Sequence, residues 1–267
     1  MREIEGKALK NIVQYGFKSV LDLLIPRTCI VCERVLDISE KHLCRECHDD
    51  IPHTYYWMRK FNPMADRFNA LIQEEWENTI ANQGTGTPPC REDYVYATAL
   101  YFYRADSDYS HISRQLKYHS NIPVGEFFGR QLGLCIAKAE HLSDVDAVIP
   151  IPLHWTRKWS RGYNQAEVIA REVATALGVQ LRADILERCR RTRTQTKLSI
   201  EGKAANVKGA FQIKTDASAI SDLKHLLIVD DIFTTGSTAL ACYSALREVF
   251  PPSVRISIAT LGFVGEA

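Results

Sequence analysis

Asp230 and Asp231 stand side by side, after the apolar run Leu226 to Val229 and ahead of Thr234-Thr235-Gly236-Ser237-Thr238. The apolar run reads as a buried parallel strand. Leu240, Tyr243, Leu246, Val249 and Phe250 recur at helical spacing, so a helix follows the hydroxyl-rich segment. A loop from strand to helix presents free backbone N–H groups, and the helix dipole favours an anion there. Gly236 lets the backbone come close to a phosphate. Thr235, Ser237 and Thr238 add hydroxyl donors. The acidic pair suits the two vicinal hydroxyls of a ribose, or a Mg2+ ion beside them. An ordinary turn capped by Ser or Thr accounts for one hydroxyl, not for two acids and this whole run of small residues. The chemistry implied is a grip on a sugar phosphate.

Two basic stretches add to it. Pro150 to Gln165 lies between another buried strand and a helix, and carries Arg157, Lys158 and Arg161. A pyrophosphate with its metal needs such cations and backbone donors, whereas a solvated loop needs none. Arg188 to Lys208 holds Arg188, Arg190, Arg191, Arg193, Lys197, Lys203 and Lys208 against Glu201 alone. It reads as a mobile lid over a polyphosphate, as a track for single-stranded nucleic acid, or as a solvated loop. His154 reads as a loop contact, and His111 and His119 as structural.

A different chemistry starts nearer the N-terminus. Cys29-Ile-Val-Cys32 and Cys44-Arg-Glu-Cys47 are separated by eleven residues. Two C-x2-C knuckles at that spacing can wrap one tetrahedral Zn2+ with four thiolates, a closed and therefore structural site. So small a segment has little core, and the metal supplies much of its folding free energy. Its removal is expected to unfold residues 27–55 alone. No thioredoxin-like pattern surrounds either pair, which argues against redox work. Cys90 stands alone and reads as inert.

The elements that must position these groups follow the chain. Residues 1–26 read as an amphipathic helix that Pro26 ends, residues 27–55 as the zinc module, and residues 56–93 as linker or insertion, with an acidic, turn-rich seam over 72–93. From 94 to 267, strands and helices alternate: strands over 95–103, 144–151, 181–186, 226–229 and 254–261, and helices over 109–119, 125–139 and 165–177, the last stopped by Gly178. That pattern predicts an α/β fold, a mostly parallel twisted sheet with helices on both faces. Its ligand is expected beyond the carboxyl ends of the strands, where the acidic pair sits. With 267 residues and 46% of them hydrophobic, the chain can bury a core. A net charge of +1 gives no global pull toward nucleic acid or membrane. No apolar run is long enough to cross a bilayer, and no signal-peptide core is present, so a cytoplasmic location is expected.

The segment from Val229 to Thr238 resembles the 5-phosphoribosyl-1-pyrophosphate (PRPP) motif of type I phosphoribosyltransferases. The resemblance implies Asp230 and Asp231 at the ribose and Thr234, Thr235, Gly236, Ser237 and Thr238 at its 5-phosphate. Paired C-x2-C knuckles, Leu116-Lys117-Tyr118, Ile149-Pro-Ile-Pro-Leu-His154, Arg161-Gly-Tyr-Asn-Gln165, Arg193-Thr-Gln195 and Asn206 to Phe211 occur in an order similar to the ComF/GntX family of competence-associated, phosphoribosyltransferase-like proteins. That likeness covers residues 27–55 and 94–262. It implies a type I phosphoribosyltransferase-like sheet domain and one structural zinc. It further implies Mg2+ with PRPP, a pyrophosphate loop at Arg157, Lys158 and Arg161, and a flexible loop with Arg193, Gln195 and Lys203. Lys203 stands where an Arg is common, which keeps the charge and loses the bidentate fork. The implied role is in natural transformation and DNA uptake. Three readings follow: a transferase that acts on PRPP, a single-stranded DNA-handling module, and a regulator that docks a helicase or other competence protein.

Overall fold

The computed structural model describes residues 26–83, 94–118, 121–189, 209–215, 220 and 222–265. The side chains of Asn82, Gln83, Tyr118, Arg157, Lys158 and Ser160 are not among those described. The expected N-terminal helix, Cys90 and the loop bearing Arg193, Gln195 and Lys203 lie outside the described residues.

In chain order the elements are α1 (Arg45–Asp49), α2 (Pro63–Gln83), β1 (Ala97–Phe102), α3 (Ser110–Tyr118), α4 (Ile122–Ile136) and β2 (Ala147–Pro150). There follow α5 (Trp155–Arg161), α6 (Gln165–Leu177), β3 (Gln180–Leu181), β4 (Leu186–Arg188), β5 (Phe211–Ile213), β6 (His225–Phe233), α7 (Ser237–Arg247) and β7 (Arg255–Phe263). Five strands form one sheet in the order β1-β7-β6-β2-β3, every neighbouring pair parallel. β4 and β5 make a separate antiparallel ribbon. The fold is therefore mixed α/β with a parallel central sheet, as the alternation of elements predicts.

Strand alternation sorts the core into two layers. Leu226 and Ile228 face one side with Met64 and Phe68 of α2 and Tyr243 and Leu246 of α7. Leu227 and Val229 face the other with Phe128 and Leu132 of α4 and Ile169 and Val173 of α6. Strands buried on both faces need continuous apolar runs, which is why Leu226 to Val229 has no polar residue. Gly129 and Gly133 bring α4 close to α6: a Cβ on Gly133 would stand 2.7 Å from Ala176 Cβ. Gly178 closes α6 in the left-handed region at φ 70°.

Four elements differ from the sequence expectation. In place of one strand over 181–186, Leu181 ends β3 in the central sheet and Leu186 begins β4 in the ribbon. The acidic stretch from residue 72 belongs to one long helix, α2, whose buried Met64, Ala65 and Phe68 bind it to the sheet. The segment after Pro150 forms the short helix α5, because nothing between Trp155 and Arg161 breaks a helix. β6 runs four residues past Val229, since Ile232 and Phe233 continue the ladder opposite Gly262 and Phe263.

The cysteine segment shares the second layer of core: Val31, Leu36, Leu43 and Ile51 pack in one cluster with Leu100, Tyr101 and Phe128. Its trailing residues cover the edge of the sheet. Phe102 donates to the Pro52 carbonyl at 2.8 Å and Thr54 to the Leu100 carbonyl at 3.2 Å. An open edge strand is thereby paired. No helix among the described residues is long and apolar enough to cross a membrane.

Candidate functional site

From β2 the chain passes through α5 and α6 to β3 on one side, and from β6 through α7 to β7 on the other. The gap between the carboxyl ends of β2 and β6 is thus a topological switch point, where open parallel sheets bind ligands. Pro150 pairs with Val229 at that gap, and Ile151 N–H extends the pairing to the Val229 carbonyl at 2.9 Å. Asp230 and Asp231 come next on β6.

Neighbouring residues on a strand point to opposite faces. Asp230 turns to the α7 side, where it lines a small cleft of about 20 Å3 with Thr234, Gly236, Thr238 and Thr260. That volume is about one water and holds no sugar. Asp231 turns to the other side, where Lys117 Nζ of α3 lies 2.6 Å from its Oδ2. This contact is a close ion pair, and Asp231 Oδ2 meets no other polar partner among the described residues. Burial, then the charge of Asp231, raises the Asp230 pKa well above the usual carboxylate range. For Lys117 burial works against the charged form, but Asp231 outweighs it and the pKa rises.

The loop beyond the acidic pair turns at Gly236, whose φ is 85°. A Cβ there would meet Leu71 Cδ1 at 2.6 Å and Phe233 Cζ at 2.7 Å, so both conformation and space require glycine. Gly236 occupies the N-cap of α7 without a side-chain cap. Thr235 Oγ1 lies 2.9 Å from Ser237 Oγ and accepts weakly from the Ser237 N–H at 3.4 Å. The N–H groups of Thr238 and Ala239 meet no acceptor among the described residues. Free donors, hydroxyls and a helix N-terminus here converge on one spot.

The third part of the site is carried by Arg161 to Gln165. Asn164 Nδ2 donates to the Ile151 carbonyl at 3.0 Å, which fixes the segment to the end of β2. The Tyr163 hydroxyl donates to the Leu116 carbonyl, and Gln165 Nε2 reaches the same carbonyl at 3.4 Å. Hydrogen bonds thus join three blocks that are distant in sequence, and the β6 end is joined through Lys117. Arg161 lies close enough to lower the Tyr163 pKa, although burial raises it more. Arg157 and Lys158 belong to α5, with side chains outside the described residues. His154 is buried, its Nδ1 2.9 Å from Thr156 Oγ1, a local contact rather than a site group. Sequence reasoning missed Lys117 as a partner of the acidic pair: a lysine at the end of an amphipathic helix carries no signal of its own.

At the other centre, the Sγ atoms of Cys29, Cys32, Cys44 and Cys47 all lie within 4.8 Å of one another. Tetrahedral Zn–S bonds of about 2.3 Å place sulfurs about 3.8 Å apart, and Cys32 and Cys44 stand at 3.7 Å. The residues fit one metal ion such as zinc. Cys29 sits on a turn closed by its N–H to the Arg34 carbonyl at 2.8 Å, with Glu33 at φ 60°. Cys44 caps α1, its Sγ accepting from the Cys47 N–H at 3.4 Å. Burial opposes a Cys29 thiolate, but backbone donors at Cys32, Cys44 and Val31 outweigh it and lower the pKa.

No protein-family model matches the chain. Among curated proteins the chain is similar to Competence protein F of Haemophilus influenzae, 27% identical over 236 residues that cover 85% of this chain and 94% of the relative. It is also similar to the DNA utilization protein YhgH of Escherichia coli (strain K12), 30% identical over 213 residues, 79% of each chain. The YhgH protein of Shigella flexneri is 31% identical over the same share.

Proposed function

The chain belongs to the ComF family, and on that premise we propose that it is a PRPP-binding protein with a type I phosphoribosyltransferase-like sheet domain that acts in DNA utilization and competence. The observation that carries the reading is the meeting of the acidic strand end, the uncapped α7 loop and the Arg161–Gln165 segment at one switch point. Asp230 and Asp231 hold the ribose hydroxyls, and Thr234, Thr235, Gly236, Ser237 and Thr238 hold the 5-phosphate at the open side of the turn. Arg157, Lys158 and Arg161 are assigned to the leaving pyrophosphate, and Arg193, Gln195 and Lys203, which lie outside the described residues, to the flexible loop that the family resemblance implies. Cys29, Cys32, Cys44 and Cys47 hold one structural Zn2+.

In the transfer reaction a nitrogen nucleophile forms a bond to C1 while the bond from C1 to the pyrophosphate oxygen breaks. The electron pair leaves with the pyrophosphate. N–H donors at the phosphates and a carboxylate at the ribose, fixed before the reaction begins, do most of the work, since they need no reorganisation. Mg2+, when bound with PRPP, supplies charge neutralisation at the leaving group. The test is calorimetric titration with PRPP and Mg2+ of the intact chain and of Asp230→Ala/Asp231→Ala. Saturable binding by the former and its loss in the latter is the expected result, and equal binding by both sinks the assignment.

A second reading, favoured by a different surface, is contact with a DNA single strand. Tyr55, Met58, Arg59, Lys60 and Phe61 are exposed in one run between the cysteine segment and α2. Lys60 lies over the Phe61 and Tyr96 rings at 5.7 and 5.5 Å, and Tyr94 packs edge-on to Phe61. Cations interleaved with exposed rings suit a strand whose bases stack and whose phosphates pair.

A further inference from the structure

Lys117 stands in the last turn of α3, where a helix favours a cation. Its side chain is 29% exposed and that of Asp231 is 13% exposed. Neither charge is stable at such a place without a partner. The end of α3 has an anchor of its own, the Leu116 carbonyl that accepts from Tyr163 and Gln165, so Lys117 is not needed to hold the helix down. Among the described residues, the other groups around Asp231 carry no positive charge of their own: Asp230 beside it, the buried phenol of Tyr101 on β1, Tyr103 beyond that strand, and Tyr163, itself next to Arg161. The Tyr101 hydroxyl meets no hydrogen-bond partner among the described residues, so none of them links it to the carboxylate. The Asp231 carboxylate, held beside Asp230 at the strand end, repels a ligand that carries several phosphate charges. An ammonium in direct contact with it removes that barrier.

We infer that Lys117 is a positioning residue of the proposed sugar-phosphate site, which cancels the charge of Asp231 and holds its carboxylate where a polyphosphorylated ribose approaches. The inference rests on the PRPP reading. Lys117 acts through Asp231, so its effect must depend on that carboxylate.

The test is titration of the full chain with Mg2+ and either PRPP or ribose 5-phosphate, for Lys117→Met, Lys117→Arg, Asp231→Asn and the Lys117→Met/Asp231→Asn pair, beside the unaltered protein. Lys117→Met is expected to weaken PRPP binding by on the order of tenfold to a hundredfold, at or below the low end for truncating one member of a fully buried charge pair because Lys117 is part exposed. Ribose 5-phosphate, with fewer charges, loses less. Lys117→Arg restores most of the affinity. In the Asp231→Asn background the loss of Lys117 has little further effect, the non-additivity of two groups in contact. Unaltered affinity in Lys117→Met, strict additivity in the pair, or an arginine variant as weak as the methionine one overturns the inference and leaves the PRPP reading standing. Absence of PRPP binding by the unaltered protein overturns both.

Discussion

Cys32 Sγ and Cys44 Sγ stand 3.7 Å apart although eleven residues separate them in the chain. That spacing matches two ligands of one tetrahedral thiolate centre. The surrounding apolar residues do not stop at the cysteine segment: Leu36, Leu43 and Ile51 share a core with Leu100 and Phe128. Metal loss is therefore expected to spread beyond residues 27–55. Plasma mass spectrometry of the purified chain should give one zinc per molecule, and Cys44→Ser should abolish it. The same substitution should lower a single cooperative melting transition. Two separate transitions, with the later one unmoved, would show that the cysteine segment folds apart from the sheet, as its small size alone suggests.

Gly236 is a second place where geometry sets a number. A methyl group there meets Leu71 and Phe233 below 3 Å at a φ of 85°. Gly236→Ala should cost about 1–3 kcal/mol of stability through strain and overlap. It should also disturb the α7 donors and weaken PRPP binding. Chemical denaturation beside calorimetry measures both. An alanine variant of unchanged stability would mean that the turn adapts and that its shape is not what the loop depends on.

The readable parts of this chain were those with a local cause. Leu226 to Val229 had to be a strand with both faces covered, and Gly178 had to end a helix. The knuckle spacing announced a cluster of four cysteines that fits a metal ion. The relation of Asp230 to Asp231 was only half legible. Their adjacency suggests a pair acting together, but strand pleating sends them to opposite faces, one to the α7 loop and one to Lys117. That outcome needed β6 to run on through Phe233, which is decided by pairing with Gly262 and Phe263, far along the chain. The acidic stretch after residue 72 was misread for a related reason. Its helix is held by Phe68 and Met64 packing on the sheet, and local composition says nothing of that contact.

His225 is fully buried at the opposite end of β6 from the site, bonded to Asp144 Oδ1 and Ser257 Oγ, each at 2.8 Å. Asp144 is also held by Arg255, so its charge is already committed. Burial lowers the His225 pKa from 6.5 to about 4, against a smaller opposing pull from Asp146. The unfolded chain then binds a proton near pH 6.5 that the folded chain refuses until about pH 4. Stability from this group is complete above pH 6.5 and falls as pH drops toward 4, by roughly 3 kcal/mol in total. His42 and His141, also lowered by burial, act in the same direction. Denaturant midpoints across that window should fall steeply for the native sequence and less steeply for His225→Gln. An equal slope in both would remove His225 as the cause.

The exposed residues Tyr55 and Met58 to Phe61 give the strand-contact reading a test that leaves the sugar-phosphate site intact. Stacking of a base on an exposed ring contributes about 1–3 kcal/mol, so Phe61→Ala should weaken binding of a fluorescent oligothymidine by about fivefold to a hundredfold. Lys60→Ala should weaken it across all sequences and lower the slope of log affinity against log salt by about one. PRPP binding should survive both, because neither side chain lines the cleft beside Asp230. Oligonucleotide affinity that ignores both substitutions but disappears in Asp230→Ala/Asp231→Ala would place the strand in the sugar-phosphate site. The aromatic surface would then have no part in holding DNA.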